Sequence, residues 1–470
     1  MPSSESPRPR IVWFRRDLRL EDQPAWSAAT RSGAPVLALH VLDPVALGGA
    51  GPLRRDLLFG HLASLDDDLR ARGGGLLVRH GDPAEVVPSV AAAIDADGVE
   101  LDLDVSPYAR RRDRAVVEAL RAAGRHVGTH WGNLLHPPGA VISPSSGRTH
   151  RVFTPFHKVW AATPAEPWPE ATAATLVDPA GLPGAAPDPL PRPHSTPVMA
   201  PGADAAAERL GDWLARVDHY PERRDLPADD AGTSHLSADL RWGTLSPRRV
   251  AEVVGTTTPG RAAFVRQLAW RDWYAHLLWE EPRLGRHALK PEMDRVTWRD
   301  DPDGLAAWAE GRTGYPIVDA GMRQLAATGW MHNRVRMITA SFLVKDLLID
   351  WRLGEAHFRE LLVDYEPSQN VGNWQWVAGT GPDAAPYFRI FNPVAQGRKF
   401  DPDGEYVKRW VPELASLDRR ALHAPWELGP LELAAAGVVL GDTYPAPVVD
   451  HAAARERTLA AYAAAREGDG

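Results

Sequence analysis

Over roughly the first 150 residues, short apolar runs alternate with segments of helical periodicity. The runs at 11–14, 36–42, 76–78, 101–105 and 126–129 predict strands. Between them Leu58, Leu62, Leu65 and Leu69 share one helical face, as do Val116, Val117 and Leu120. This alternation predicts a doubly wound α/β domain around a parallel sheet. Its first strand runs into VWFRRDLRL rather than a G-x-G-x-x-G turn, and Gly48, Gly49 and Gly51 read as a loop, so a nicotinamide site is not expected. From 164 to 201 Pro and Ala dominate without periodicity, which predicts an extended linker. Helical patterns then take over at 204–217, 260–280, 303–311, 316–328, 331–350, 354–363 and 449–466. They follow no fixed-period repeat, so the second part is expected to be a globular all-helical domain. The expected division is an α/β domain over 9–160, a linker over 161–203 and a helical domain over 204–470.

Composition narrows the function. With 44% hydrophobic and 24% charged residues, the 470-residue chain has an ordinary globular make-up. No stretch approaches the ~20 apolar residues of a membrane helix. The polar start MPSSESPRPR argues against a secretory leader. The chain has no cysteine, which excludes disulfides, thiol catalysis and Cys-based metal sites, and a cytoplasmic location is expected. A net charge of −8 argues against a uniformly basic nucleic-acid binder but permits a local basic face. The outlier is tryptophan. There are 18, against 10 Phe and 9 Tyr, so something asks for indoles in particular.

Four segments carry candidate chemistry. Thr233, Ser234, His235, Leu236 and Ser237 open a helical stretch with three hydroxyls, suited to an anion such as a pyrophosphate. The same string also reads as an ordinary N-cap with spare serines. Gln267, Trp270, Arg271 and Tyr274 fall at i, i+3, i+4 and i+7 and share a helix face. That face suits stacking and hydrogen-bonding a base, and reads otherwise as a half-exposed amphipathic surface. Near Trp330, Arg334 and Arg336 are placed to bind phosphates or to pair with downstream carboxylates, and His332 by itself reads as a core histidine. Asp364 and Glu366 are two apart, with Tyr365 between them and Asn370, Trp374, Trp376 and Arg389 following. Two carboxylates invite a metal or glycosidase reading, but no His-rich ligand set accompanies them, so no metal is expected. Trp298, Trp351 and Trp374, taken singly, read as core.

Together these segments resemble the DNA photolyase/cryptochrome family. The resemblance rests on WFRRDLRLED, TSHLS, QLAWRDWY, GYPIVDAGMRQL, GWMHNRVRMITASFLVKDLLIDWR and NWQWVAGTGPDAAPYFRIFNP, and runs from about residue 10 to 460. It implies an antenna domain of α/β type and a helical domain binding FAD. Positions implied around FAD are Tyr220, Thr233, Ser234, His235, Leu236, Ser237, Trp270, Asn333, Arg336, Asp364, Tyr365, Glu366 and Asn370, the last facing the flavin N5. Trp374, Trp351 and Trp298 match an electron relay running from flavin to surface, which accounts for part of the tryptophan excess. Gln267, Trp270, Arg271, Tyr274, Asn333, Arg334, Met337, Trp376 and Arg389 match the pocket or rim receiving a flipped pyrimidine dimer from double- or single-stranded DNA.

Asn333 and Met337 stand where (6-4) photolyases and animal cryptochromes carry histidines, so the chain resembles the class I cyclobutane-dimer branch. Its implied activity is blue-light-driven dimer repair by a carbon–carbon lyase, acting as a monomer. The alternatives are a cryptochrome-like light receptor without repair and a flavin-free DNA-binding module. A second, antenna chromophore is implied. His40 to Pro44, Gly81 to Pro83 and Tyr108 to Asp113 resemble the 8-hydroxydeazaflavin-binding branch more than the methenyltetrahydrofolate-binding one, although Ser106 stands where an acidic residue often contacts the pigment. Glu366 replaces the second Asp of the usual D-x-D.

Gln267 stands where most cyclobutane-dimer enzymes carry Glu. Glutamine offers an N–H donor and a C=O acceptor on the same stem, close to a protonated Glu in hydrogen-bonding inventory. A hydrogen bond to a charged partner is worth ~1.5–3 kcal/mol, so keeping a donor matters more than its type. Gln267→Glu is therefore expected to leave light-dependent repair within a modest factor of the parent, and Gln267→Ala to lower dimer affinity or yield clearly. Equal binding and repair by the parent and Gln267→Ala would reduce Gln267 to a bystander.

Overall fold

The computed structural model describes residues 7–167, 170, 172–182, 188–383 and 389–467. Five parallel strands form one sheet in the order β3-β2-β1-β4-β5. They are β1 (Arg10–Phe14), β2 (Val36–Leu42), β3 (Leu76–His80), β4 (Gly98–Asp102) and β5 (His126–His130). The apolar strings IVWF and VLALHVL are buried throughout, as expected of central strands covered by helices on both faces. Strand order reverses beside β1, so the carboxyl ends of β1 and β4 flank the crevice where such folds place ligands. Helices Pro52–Arg70, Pro83–Ala93 and Pro107–Ala122 alternate with the later strands, and each opens on proline, whose missing N–H is an orphan at that position anyway.

The fourth strand departs from expectation. It occupies Gly98–Asp102 rather than 101–105. Glu100 and Asp102 hid it from an apolar-run reading, yet both are buried. Glu100 is satisfied by Arg10 at 2.7 Å and by His130 at 2.8 Å. Residues 103–105 leave the sheet to reach Ser106, which caps the next helix by accepting from the Ala109 N–H. The described part of the linker wraps as expected. Val36 N–H donates to Thr175 O, and the backbone N–H groups of His194 and Ser195 donate to the Asp56 carboxylate.

Compactness divides the chain differently from the linear boundary at 204. One unit comprises 1–217 and 234–282; the other comprises 218–233 and 283–470. In the first, Asp272 on the long helix Pro259–Glu280 is buried and accepts from Leu135 N, His136 N and Trp160 Nε1 at 2.9–3.3 Å. That network ties the helix to the segment following the sheet. The second unit is built around one large apolar cluster that includes Trp308, Phe342, Trp351, Phe358, Trp374 and Tyr406. The expected continuous helix 331–350 is broken. Asn333–Ser341 passes into a π-helical turn at Phe342–Asp346, and Leu348 adopts φ +55° before Trp351–Leu361 begins. Helices Pro367–Ala378, Pro393–Phe400 and Glu405–Trp410 were not anticipated. Among the described residues no helix is long and apolar enough to cross a membrane.

Candidate active site

The second unit holds an open cleft lined by Asn333, Arg336, Met337, Asp364, Tyr365, Glu366, Asn370 and Trp374 among others. The helix Asn333–Ser341 supplies the first three of these residues. His332 caps that helix, its Nδ1 accepting from Arg334 N at 3.1 Å, and is 2% exposed, so the core-histidine reading holds. Arg336 donates through Nη2 to Asp364 Oδ2 at 2.8 Å and through Nε to Met331 O at 2.8 Å. The other oxygen of Asp364, Oδ1, is buried with no protein hydrogen-bond partner. Leaving a buried acceptor unmade costs ~1–3 kcal/mol, so this oxygen is poised for a donor from outside the chain.

Glu366 occupies the N-cap position of the helix Pro367–Ala378, which presents Asn370 and Trp374 at i and i+4 on one face. Asn370 donates through Nδ2 to Glu355 O at 3.1 Å and to Glu355 Oε1 at 3.0 Å. Tyr365 also donates to Glu355 Oε1, at 3.4 Å. Burial pushes the Glu355 carboxyl above its ordinary value, with Arg359 opposing. Glu355 escaped the sequence reading, although a glutamate within the buried stripe Trp351, Gly354, Glu355, Phe358 was a legible signal.

Trp374 forms part of the cleft wall and is only 2% exposed. It meets Phe358 edge-on at 5.0 Å and Trp308 at 6.1 Å. Beneath it lies Gly354, one turn beyond Trp351 on the helix Trp351–Leu361, where an added Cβ would stand 2.2 Å from Trp374 Cη2. Trp351 is 1% exposed, and Trp298 packs half-buried against the same core cluster. Trp351 and Trp374 therefore belong to one core cluster, Trp298 packs against it, and Trp374 reaches the cleft.

The remaining expected residues take varied places. Arg334 pairs with Asp225 at 2.9 Å and its guanidinium lies 4.3 Å from the Phe400 ring centroid. Trp376 is half-buried and Arg389 is exposed, while 384–388 of that motif lie outside the described residues. Tyr220 is half-buried, with its phenol pushed up mainly by burial. Thr233 Oγ1 is buried without a protein partner. Ser234 Oγ accepts from Leu236 N at 3.3 Å, His235 adopts φ +55°, and Leu236 rather than a serine takes the N-cap place before Ser237–Trp242. The simple serine-cap reading of this string is thereby corrected.

On the first unit, Gln267 Nε2 donates to Ala263 O at 3.0 Å, and Trp270 stacks on Phe153 with centroids 3.6 Å apart. The other two residues of that face are more buried. Tyr274 is 4% exposed and packs against Trp270 and Trp273. Arg271 donates to the main-chain carbonyls of Asn133 and Leu240, and burial lowers its pKa to about 10.

An aromatic wall, a side-chain amide, an anchored arginine and an unsatisfied buried carboxylate oxygen together suit a flat heterocycle with N–H or O–H groups at its edge. Comparison with known proteins agrees. Residues 10–173 match the family model described as DNA photolyase, and 264–464 match the FAD binding domain of DNA photolyase. A deoxyribodipyrimidine photo-lyase of Agrobacterium fabrum is 42% identical, covering 98% of each chain. Among solved structures, a bacterial class III photolyase from Agrobacterium tumefaciens superposes with a TM-score of 0.89 at 41% identity, covering 99% of both chains. A Synechocystis cryptochrome reaches the same TM-score, 0.89, at 31% identity, over 97% of this chain and 99% of its own.

The Trp374–Gly354 contact yields a direct test. Ala in a helix interior is favoured over Gly by ~1 kcal/mol. At this position the added methyl meets an indole and Leu343 below van der Waals distance, and overpacking costs ~1–3 kcal/mol. Gly354→Ala is therefore expected to lose stability in urea unfolding despite its better propensity, and to shift the near-ultraviolet circular dichroism of the buried indoles. A more stable variant with an unchanged spectrum would refute the close packing.

Proposed function

The chain belongs to the DNA photolyase family, and from that premise we propose how its own residues carry light-driven DNA repair. It is a flavin-dependent lyase acting on damaged DNA. The observation that carries the assignment of the site is the cleft in which the Arg336–Asp364 pair, the Asn370 amide and the Trp374 indole converge, with Asp364 Oδ1 left for an incoming donor. When bound and reduced, FAD supplies the excited electron that splits the dimer's ring.

Each residue role is inferred from its surroundings. Arg336 pairs with one oxygen of Asp364 at 2.8 Å, which leaves the second oxygen to accept from the cofactor's edge. Glu355 orients the Asn370 amide by accepting from its Nδ2 through O and Oε1, leaving the amide oxygen for the cofactor side. Thr233, Ser234, His235, Leu236, Ser237 and Tyr220 are assigned to the phosphates and ribityl chain, supported by the unpartnered Thr233 hydroxyl. Trp374, Trp351 and Trp298 are assigned as the relay that reduces the cofactor in light, supported by their shared core and by the partial exposure of Trp298.

For the substrate we propose a cyclobutane pyrimidine dimer. A dimer is poorly stacked in the duplex, so extruding it costs less than the usual few kcal/mol. Gln267, Trp270, Asn333, Met337 and Trp376 are assigned to the dimer, and Arg334 and Arg389 to flanking phosphates, where affinity falls with salt. Gln267 gives one N–H to Ala263 O, which leaves its second N–H and its carbonyl oxygen for a substrate. Monomeric action in the cytoplasm completes the reading, supported by the absence of cysteine.

We further propose an antenna pigment of 8-hydroxydeazaflavin type on the first unit. Support comes from the polar crevice at the carboxyl ends of the central strands. There Tyr108 donates to Asp43 at 2.6 Å, Arg112 joins Asp43 to Asp113, and Arg15 closes the chain at 2.6 Å from Asp113. Asp104 is held ionised by Arg16 at 2.6 Å, and Ser106 serves as a helix cap instead of a pigment contact. Titration with 8-hydroxydeazaflavin is expected to give saturable binding and energy transfer to FAD. Neither signal appearing would remove the assignment.

The central experiment is repair of a dimer-containing oligonucleotide under blue light with a dark control. Repair only in the light is expected, and its absence with FAD fully reduced would favour a receptor instead. Trp374→Phe keeps an aromatic filler but removes the readily oxidised indole. Cofactor photoreduction is expected to slow at least about tenfold, ~1.4 kcal/mol in barrier, while repair by already reduced enzyme persists. Unchanged photoreduction would overturn the relay.

A further inference from the structure

Arg334 stands at the second position of the helix Asn333–Ser341, next to Asn333 in the cleft wall. Its guanidinium is held along one edge and on one face. Along the edge, Nε and Nη2 both donate to Asp225 Oδ1, at 3.3 and 2.9 Å. On the face lies the Phe400 ring, with its centroid 4.3 Å from the guanidinium carbon. Lys399 Nζ lies 5.0 Å from the same centroid, so two cations share one ring. Phe400 ends the helix Pro393–Phe400, and Asp225 follows the short helix Tyr220–Arg223. Three stretches far apart in sequence thus meet at one guanidinium.

A guanidinium carries its N–H groups in a rigid planar fork. The pair with Asp225 occupies the side made by Nε and Nη2. The end of the fork, made by Nη1 and the second N–H of Nη2, is left over. Among the described residues Nη1 makes no hydrogen bond, and the side chain is 17% exposed. Two N–H groups at that end match two oxygens of a phosphate, the bidentate arrangement that favours arginine at such sites.

The carboxylate acts on this arginine in two ways. It fixes the direction in which the open end of the fork points, and Phe400 fixes its plane. It also cancels the charge. An unpaired surface cation attracts any DNA phosphate, damaged or not. A cation already paired with a fixed carboxylate adds little to that general attraction and gains from a phosphate that reaches the open end of its fork.

We propose that Asp225 is a positioning residue for damage recognition. It aims Arg334 at one phosphate beside an extruded lesion and cancels the Arg334 charge toward undamaged duplex. This rests on the assignment of Arg334 to a flanking phosphate made above. Backbone geometry supplies the selectivity. Extrusion rotates the lesion about the strand's backbone and displaces the phosphates beside it. An aimed fork accepts the displaced phosphate and misses the regular one, whereas a loose fork accepts either.

The test titrates the FAD-loaded full chain in the dark with a duplex carrying one thymine cyclobutane dimer, and with the same duplex undamaged, across a salt series. Asp225→Asn keeps the size and an acceptor oxygen but removes the charge. It is expected to bind undamaged duplex more tightly, with the slope of log affinity against log salt steeper by ~0.9, the value of one further phosphate contact. Its preference for the dimer is expected to fall about tenfold, the loss of one charge-assisted hydrogen bond. Arg334→Lys keeps the charge and loses the fork. It is expected to lose the same preference while the salt slope for undamaged duplex stays that of the parent.

A carboxylate beside a cation in a first helical turn also offsets the helix dipole. If that structural role were the whole of it, both variants would lose stability and leave the ratio of the two affinities alone. A dimer preference unchanged by both variants overturns the proposal, as does a fall of both affinities by one factor. Should Asp225→Asn fail to fold or to load FAD, Arg334→Lys decides alone. A parent without preference for the dimer defeats the assignment of Arg334 to damaged DNA, and this proposal with it.

Discussion

The i, i+4 spacing of Asn370 and Trp374 puts an amide and an indole on one face of the helix Pro367–Ala378, and the helical unit is organised around keeping both dry at the same cleft. An indole is held there by packing. Phe358 and Trp308 meet Trp374 edge-on, contacts worth ~0.5–1.5 kcal/mol each beyond area burial, and Gly354 lets the neighbouring helix approach its ring. An amide is held by hydrogen bonds, here from Asn370 to Glu355 on that same neighbouring helix. One helix pair therefore fixes the amide and the indole of the cleft together. Displacing either helix disturbs both side chains.

Buried ionisable groups divide the labour in this unit. Asp364 is paired with the Arg336 guanidinium through one oxygen, and its other oxygen has no protein partner. Glu355 has its pKa raised by burial and is used as an acceptor for Asn370. Lys345 is buried without an acid, which is costly for a charge and cheap for an amine. Breaking a buried pair from one side costs ~3–5 kcal/mol, so the Arg336–Asp364 pair is hard to change piecemeal.

In the first unit the polar groups mostly hold shape. Asp272 collects three donors from the segment that follows the sheet, which explains why the helix Pro259–Glu280 packs as part of the α/β unit although it follows the linker in sequence. Arg271 and Tyr274 share that helix with Gln267 and Trp270, but their side chains are spent on packing and main-chain carbonyls. Helical periodicity places four residues on a face. It does not say which of them the neighbouring chain segments will cover.

Much was determined by the sequence itself. Alternation of apolar runs with helical periodicity gave the parallel sheet, because central strands must be apolar on both faces. Family motifs marked part of the cleft, since Asn333, Arg336 and Trp374 stand in long strings that chance does not produce. Tertiary structure decided the rest. The fourth strand hid behind Glu100 and Asp102, whose burial is made tolerable for Glu100 by Arg10 and His130, far away in sequence. The helix expected over 331–350 broke at a π-turn that buries Lys345 against Tyr462, and Glu355 became an orienting group through contact with Asn370. Periodicity records which face of an element is apolar. The partner that makes a buried charge or amide useful comes from a distant stretch of chain, and only the folded structure brings it within hydrogen-bonding range.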